Sequence, residues 1–197
     1  MTSTTMKLCF VTVGATASFH LLLEAVLNET FLEALQKLDY THLLIQYGKD
    51  SRGLFDELRG KHRPERHGLK IEGFDFNTAG LDHEMRMAQA NPSDERAGGV
   101  IISHAGSGSI LGALRLGVPL IVIPNPTLQD NHQEELAQQL QKQGYVVASS
   151  VREVAAALPR AEKLRANMLT WPPVTGEGKK KRPPLEQVMS DEMGFLD

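Results

Sequence analysis

The sequence predicts an α/β fold built on a parallel sheet, and three observations carry that expectation. The first is the stretch 98–125, GGVIISHAGSGSILGALRLGVPLIVIPN, which reads as strand, glycine-serine turn, helix and strand. The second is the apolar run from Leu8 to Val13, which gives way to the small residues Gly14-Ala15-Thr16-Ala17-Ser18. The third is the recurrence of short apolar runs with helical patterns between them, the alternation expected of βαβ units.

In chain order, Leu8-Cys9-Phe10-Val11-Thr12-Val13 is the first strand, and Ser18 can cap a helix through Leu21, Leu22, Ala25, Val26 and Leu27. Thr30 to Leu38 continues as a helix or helix extension with Phe31, Leu35 and Leu38 on its apolar side. Leu43 to Gly48 is a second strand and turn. A short helix begins near Ser51, anchored by Phe55 and Leu58, and the charged segment through Arg63, Arg66 and His67 reads as a solvated loop. Leu69 to Phe76 alternates as a strand. Asp82 starts a helix whose Met85 and Met87 are packing residues. After the polar break Asn91 to Glu95, Val100-Ile101-Ile102 is a buried strand. Ser107 or Ser109 can cap the helix that follows, and Gly117 closes it before Pro119. Leu120 to Ile123 is the next strand. Asp130 and Gln133 have capping-box spacing before a helix bearing Leu136, Ala137 and Leu140. Tyr145 to Ala148 supplies a sixth strand, and Val151 to Leu164 a terminal helical region interrupted or restarted near Pro159. Residues 1–165 are therefore expected to form one domain. Residues 166–197, with Trp171-Pro172-Pro173, Pro183-Pro184 and the basic run Lys179 to Arg182, read as a tail with room for a short helix.

Composition narrows the function. A chain of 197 residues with 41% hydrophobic residues can bury one sizeable core, and a net charge of −3 gives no reason to expect a nucleic-acid partner. The single cysteine, Cys9, rules out an intramolecular disulfide and fits a reducing compartment. The polar N-terminus lacks a signal-peptide core, and no segment approaches the roughly 20 apolar residues of a membrane span. Seven histidines form no HExxH or His-Cys array, so no metal site is expected, and no cofactor fingerprint is present. Ser103-His104 is not a nucleophile triad, because the GxSxG elbow is absent.

What remains is anion chemistry at turns. Gly14 and the turn Gly106-Ser107-Gly108-Ser109 both lie at strand-to-helix junctions, where backbone amides can bind phosphate oxygens. The two turns suit a diphosphate if they face one crevice; glycines that merely permit sharp turns are the structural alternative. His104, beside Ser103 at a strand end, can donate to a phosphate or sugar oxygen or simply stabilise its loop. Asp130, Asn131, His132 and Gln133 offer the directional pairing that sugar hydroxyls need, with Asn131 and His132 freer than the two capping residues.

Four stretches together carry a family resemblance: VTVGATASF at 11–19, IQYG at 45–48, ISHAGSGSILGALRLGVPLIVIPN at 102–125 and LQDNHQEELAQQL at 128–140. They resemble the catalytic subunits of two-subunit, dolichol-linked N-acetylglucosamine transferases, which are of the glycosyltransferase family 28 type. The resemblance implies a Rossmann-like sheet equivalent to the C-terminal donor-binding half of a GT-B glycosyltransferase. It also implies transfer of N-acetylglucosamine from UDP-N-acetylglucosamine to N-acetylglucosaminyl-diphosphodolichol with inversion at the anomeric carbon. The other half of the cleft is expected on a membrane-anchored second subunit that recruits this cytoplasmic chain to the cytosolic face of the endoplasmic reticulum. Gly14, Ser103, His104, Gly106, Ser107, Gly108 and Ser109 then fall to diphosphate contact, with His104 as the catalytic candidate. Asp130, Asn131, His132 and Gln133 fall to sugar recognition. Gly112 departs from the family, where an acidic residue commonly stands to grip the ribose. That departure keeps open a second expectation, a noncatalytic partner-binding module on the same fold.

Overall fold

The computed structural model describes residues 5–14, 18–61, 68–127 and 132–169. Six parallel strands form one sheet in the order β3-β2-β1-β4-β5-β6. They are β1 (Met6–Thr12), β2 (His42–Gln46), β3 (Lys70–Phe74), β4 (Arg96–Ser103), β5 (Leu120–Val122) and β6 (Val147–Ala148). Among the described residues, seven α-helices cover both faces: α1 (His20–Val26), α2 (Glu29–Lys37), α3 (Arg52–Lys61), α4 (Asp82–Met87), α5 (Ser107–Leu116), α6 (His132–Lys142) and α7 (Val154–Leu169). The predicted α/β class and all six predicted strands are present.

Because the central strands are covered on both sides, they read as unbroken apolar runs rather than alternating ones. Odd-numbered residues of β1, Cys9 and Val11, join Ile45, Val100 and Ile102 in the core beneath α1, α2 and α7. The even-numbered Leu8 and Phe10 join Ile101, Leu120 and Val122 in the second core beneath α4, α5 and α6. Phe31, Leu32 and Leu35 put one face of α2 wholly inside, and Asn28 caps that helix by accepting from the Phe31 amide at 2.8 Å.

Several local expectations are corrected. Ser18 does not cap α1; Phe19 holds the cap position, with no side-chain hydrogen bond to the helix. Neither Ser107 nor Ser109 caps α5, because the helix starts at Ser107, one residue earlier than a Ser107 cap requires and three earlier than a Ser109 cap requires. Gly106 is the cap residue, and Ser107 and Ser109 are already inside the first turn. Pro159 does not interrupt α7, which runs unbroken to Leu169, past position 165. Its missing amide removes one helical bond, and buried Ala157, Leu158, Ala161 and Leu164 hold the helix against the sheet on either side of it. The loop around Arg63, Arg66 and His67 and the tail beyond 169 lie outside the described residues. No helix among the described residues is long and apolar enough to cross a membrane.

Candidate functional site

The strand order reverses between β1 and β4. In an open α/β sheet this is the switch point where loops from neighbouring strands diverge to opposite faces and leave a crevice at the carboxyl edge. Gly14 follows β1 and His104 follows β4, so both flank that crevice.

The two glycine turns close on His104. A Cβ placed on Gly14 would stand 2.7 Å from His104 Nε2, and one placed on Gly106 would stand 2.7 Å from His104 Cε1. The imidazole thus lies between two backbones that only glycine can bring so close. Gly14 also adopts φ 86°, whereas Gly106 has an ordinary φ of −79°. His104 Nδ1 is buried and has no partner among the described residues. Burial pushes the imidazole below the ordinary histidine value, against a weaker opposing pull from the Thr12 backbone. A neutral ring results, with an N–H to donate and no charge to screen.

Behind His104, α5 begins at the cap residue Gly106, with no side-chain cap hydrogen bond among the described residues. Ser107 and Gly108 are exposed and Ser109 is half-buried, so the first turn presents itself to solvent beside the crevice. Uncapped amides and the positive end of the helix dipole together favour an oxyanion such as phosphate. Ser103 has a different place. It is fully buried and its hydroxyl donates to the His104 carbonyl at 2.7 Å, so it shapes the turn instead of facing a ligand.

A row of polar residues runs across the sheet at this edge, and of its three members sequence reasoning singled out only Ser103. Gln46, Thr12 and Ser103 are in register on β2, β1 and β4, and all three are buried. Thr12 Oγ1 donates to Gln46 Oε1 at 2.7 Å and accepts from the Gly14 amide at 3.2 Å. Gln46 Nε2 donates to the carbonyls of Gly14 at 3.1 Å and Asp75 at 2.9 Å. The available signal was that three apolar strands, CFVT, LLIQ and VIIS, each end in one polar residue.

Most of the residues expected on the sugar side fall outside the described ones. Asp130 and Asn131 lie outside them, as does the side chain of His132. Gln133 Oε1 accepts from the Asn125 amide at 3.3 Å and so braces the loop after β5, while its capping-box partner Asp130 lies outside the described residues. Asn125 Nδ2 in turn donates to the Ser18 carbonyl at 3.4 Å, linking that loop to the first turn. A cleft of about 970 Å³ opens on the far side of Asn125, between α1, α6 and the turn after β6; neither Gly14 nor His104 lines it. Gly112 faces α4, where an added Cβ would touch Met85 Sδ at 3.0 Å. Among the described residues no three His, Cys, Asp or Glu side chains are grouped to hold a metal ion.

The sequence and the fold have known counterparts. Residues 8–169 match the family model described as the glycosyltransferase family 28 C-terminal domain. The UDP-N-acetylglucosamine transferase subunit ALG13 of Saccharomyces cerevisiae is 36% identical over 163 residues, 71% of this chain and 76% of that protein. The protein of the same name from Cryptococcus neoformans is 34% identical over 198 residues, 94% of this chain and 96% of its own length. The NMR solution structure of ALG13 is similar with a TM-score of 0.61 at 30% identity, covering 80% of this chain and 86% of the other. The crystal structure of Acinetobacter baumannii MurG has a TM-score of 0.52 at 19% identity, covering 83% of this chain and 41% of MurG, and shares the fold.

Proposed function

This chain belongs to the glycosyltransferase family whose C-terminal domain model it matches, and from that premise we propose that it is the catalytic, donor-binding subunit of a UDP-N-acetylglucosamine transferase. The observation that carries the reading is the convergence of Gly14, His104 and the uncapped start of α5 on one crevice at the switch point. The donor is UDP-N-acetylglucosamine, and the acceptor is N-acetylglucosaminyl-diphosphodolichol, which receives the second sugar of the lipid-linked oligosaccharide.

In the reaction an acceptor hydroxyl oxygen bonds to the anomeric carbon of the donor sugar from the face opposite the diphosphate. The bond from that carbon to the phosphate oxygen breaks, its electron pair leaves with UDP, and the configuration inverts. Charge therefore develops on the leaving diphosphate, and groups aimed there lower the barrier. The α5 amides and the neutral His104 N–H are the groups this chain brings to it. The acceptor proton goes to a base on the second subunit, which anchors the complex at the cytosolic face of the endoplasmic reticulum.

Gly112 favours a second reading, a noncatalytic module, because it offers no acceptor to a ribose hydroxyl. Calorimetric titration of UDP-N-acetylglucosamine into the chain, and into its complex with the second subunit, separates the two. Binding together with turnover that His104→Ala abolishes in the folded complex supports the enzyme. A stable complex with neither donor binding nor turnover supports the module.

A further inference from the structure

Resting on the donor-site reading above, we infer that Gln46 and Thr12 are positioning residues that set the first donor turn and, through it, the pose of His104. The geometry leaves them little other use. Gln46 is 2% exposed at the end of β2, where a buried amide must find a partner for each polar atom. It finds them on two segments, the end of β1 and the loop after β3. Its oxygen takes the Thr12 hydroxyl proton, and its two amide hydrogens reach the carbonyls of Gly14 and Asp75. The reversed amide would turn its oxygen toward both carbonyls, so the orientation has one solution.

Thr12 closes the circuit. Its hydroxyl donates to Gln46 and accepts from the Gly14 amide, so the pair binds both the N–H and the C=O of that one glycine. Gly14 is the residue whose backbone forms one wall of the His104 ring. The opposite wall, Gly106, is fixed independently by the start of α5 and by its own amide, which donates to the His104 carbonyl at 2.8 Å. If the Gln46–Thr12 pair released Gly14, the imidazole would lose one of two walls while the sheet and α5 stayed in place. The bond to Asp75 extends the same control to the loop after β3, so one amide sets two loops at the crevice.

The test uses the complex of the full chain with its second subunit and UDP-N-acetylglucosamine as the probe. Thr12→Val keeps the β-branched shape and deletes only the hydroxyl; Gln46→Met keeps length and deletes the amide. In the folded complex each is expected to raise the donor KM about tenfold, the scale of a displaced binding group, while the acceptor KM holds. Amide hydrogen exchange at Gly14 should quicken in Thr12→Val, and Thr12→Ser should restore both readouts. A folded Thr12→Val complex with unchanged donor KM, or one that loses only thermal stability, overturns the inference. Should wild type itself show neither donor binding nor turnover, the donor-site reading fails and this inference falls with it.

Discussion

His104 is held by shape more than by hydrogen bonds, and that makes its surroundings testable by volume. Ala at Gly106 would push a methyl group into the ring without disturbing an ordinary φ of −79°. Gly106→Ala should therefore cost about 1–3 kcal/mol as an overpacked site. Removing the ring relieves the clash, so the double variant Gly106→Ala/His104→Ala should recover at least about 1 kcal/mol of that loss, read by urea unfolding. Gly14→Ala should not be rescued in this way, because φ 86° strains any side chain whatever the space around it. The ring's titration is a second handle. With its folded value lowered by burial, the unfolded chain takes up a proton first as pH falls below about 6.5. Stability should be level above that pH and decline below it, and an NMR titration should place His104 beneath the ordinary histidine value. His104 and both glycine turns were legible in the sequence because small residues after an apolar run mark a strand-to-helix junction. Gln46 and Thr12 were not, since one polar residue ending a strand looks the same whether it faces water or ties two loops together. The serine caps were misplaced for a related reason: cap and first-turn positions differ by one residue, and glycine itself can hold the cap.

The terminal helix shows what element-level reading omits. Periodicity places α7, but what fastens it lies far off in the chain. Glu162 accepts from Tyr40 at 2.6 Å, meets Lys7 Nζ at 3.0 Å and pairs with Arg165 at 3.1 Å. Arg165 reaches on to the Gly99 carbonyl at 2.6 Å, and Lys7 sits over the Tyr40 ring at 4.4 Å. These partners come from β1, the turn before β2 and β4, so no local pattern announces them. They join α7 to the amino edge of the sheet, opposite the crevice at its carboxyl edge, and help explain why Pro159 does not break it. Burial alone would raise the Glu162 carboxyl, but hydrogen bonds from Arg165, Tyr40 and Lys7 outweigh it and hold the group below the ordinary glutamate value. A lowered carboxylate contributes stability above the unfolded value near 4.5, and that contribution is lost as pH falls through the folded value. Glu162→Gln should therefore cost about 1–3 kcal/mol at pH 7, the scale of hydrogen bonds to a charged group. The gap from wild type in urea unfolding should narrow as the pH is taken below 4.5; a constant gap would mean that packing, not charge, carries the effect.

Among the described residues the crevice has one wall. Gly14, His104 and the first turn of α5 all project from the carboxyl edge of a single sheet, and among the described residues none stands opposite. Local pattern could reveal the βαβ units that build such a sheet, but not the order 3-2-1-4-5-6, because strand pairing joins segments separated by dozens of residues. Yet that order is what brings Gly14 and His104 together. An open crevice leaves bound diphosphate in contact with water, where hydrogen bonds and dipoles gain little over solvation. Closure by a second subunit would exclude that water and strengthen the same contacts without altering any of them. The consequence is a measurable asymmetry between the chain and its complex. Ligand that binds only the folded form raises stability by RT ln(1 + [L]/Kd), or about 2.7 kcal/mol at a hundredfold excess over Kd. At one fixed concentration of UDP-N-acetylglucosamine, the donor-induced rise in Tm should be small for this chain alone and larger for the chain in the complex. Turnover should appear only in the complex. Equal shifts in both would mean that one wall suffices for the donor, and the second subunit would then be needed for the acceptor alone.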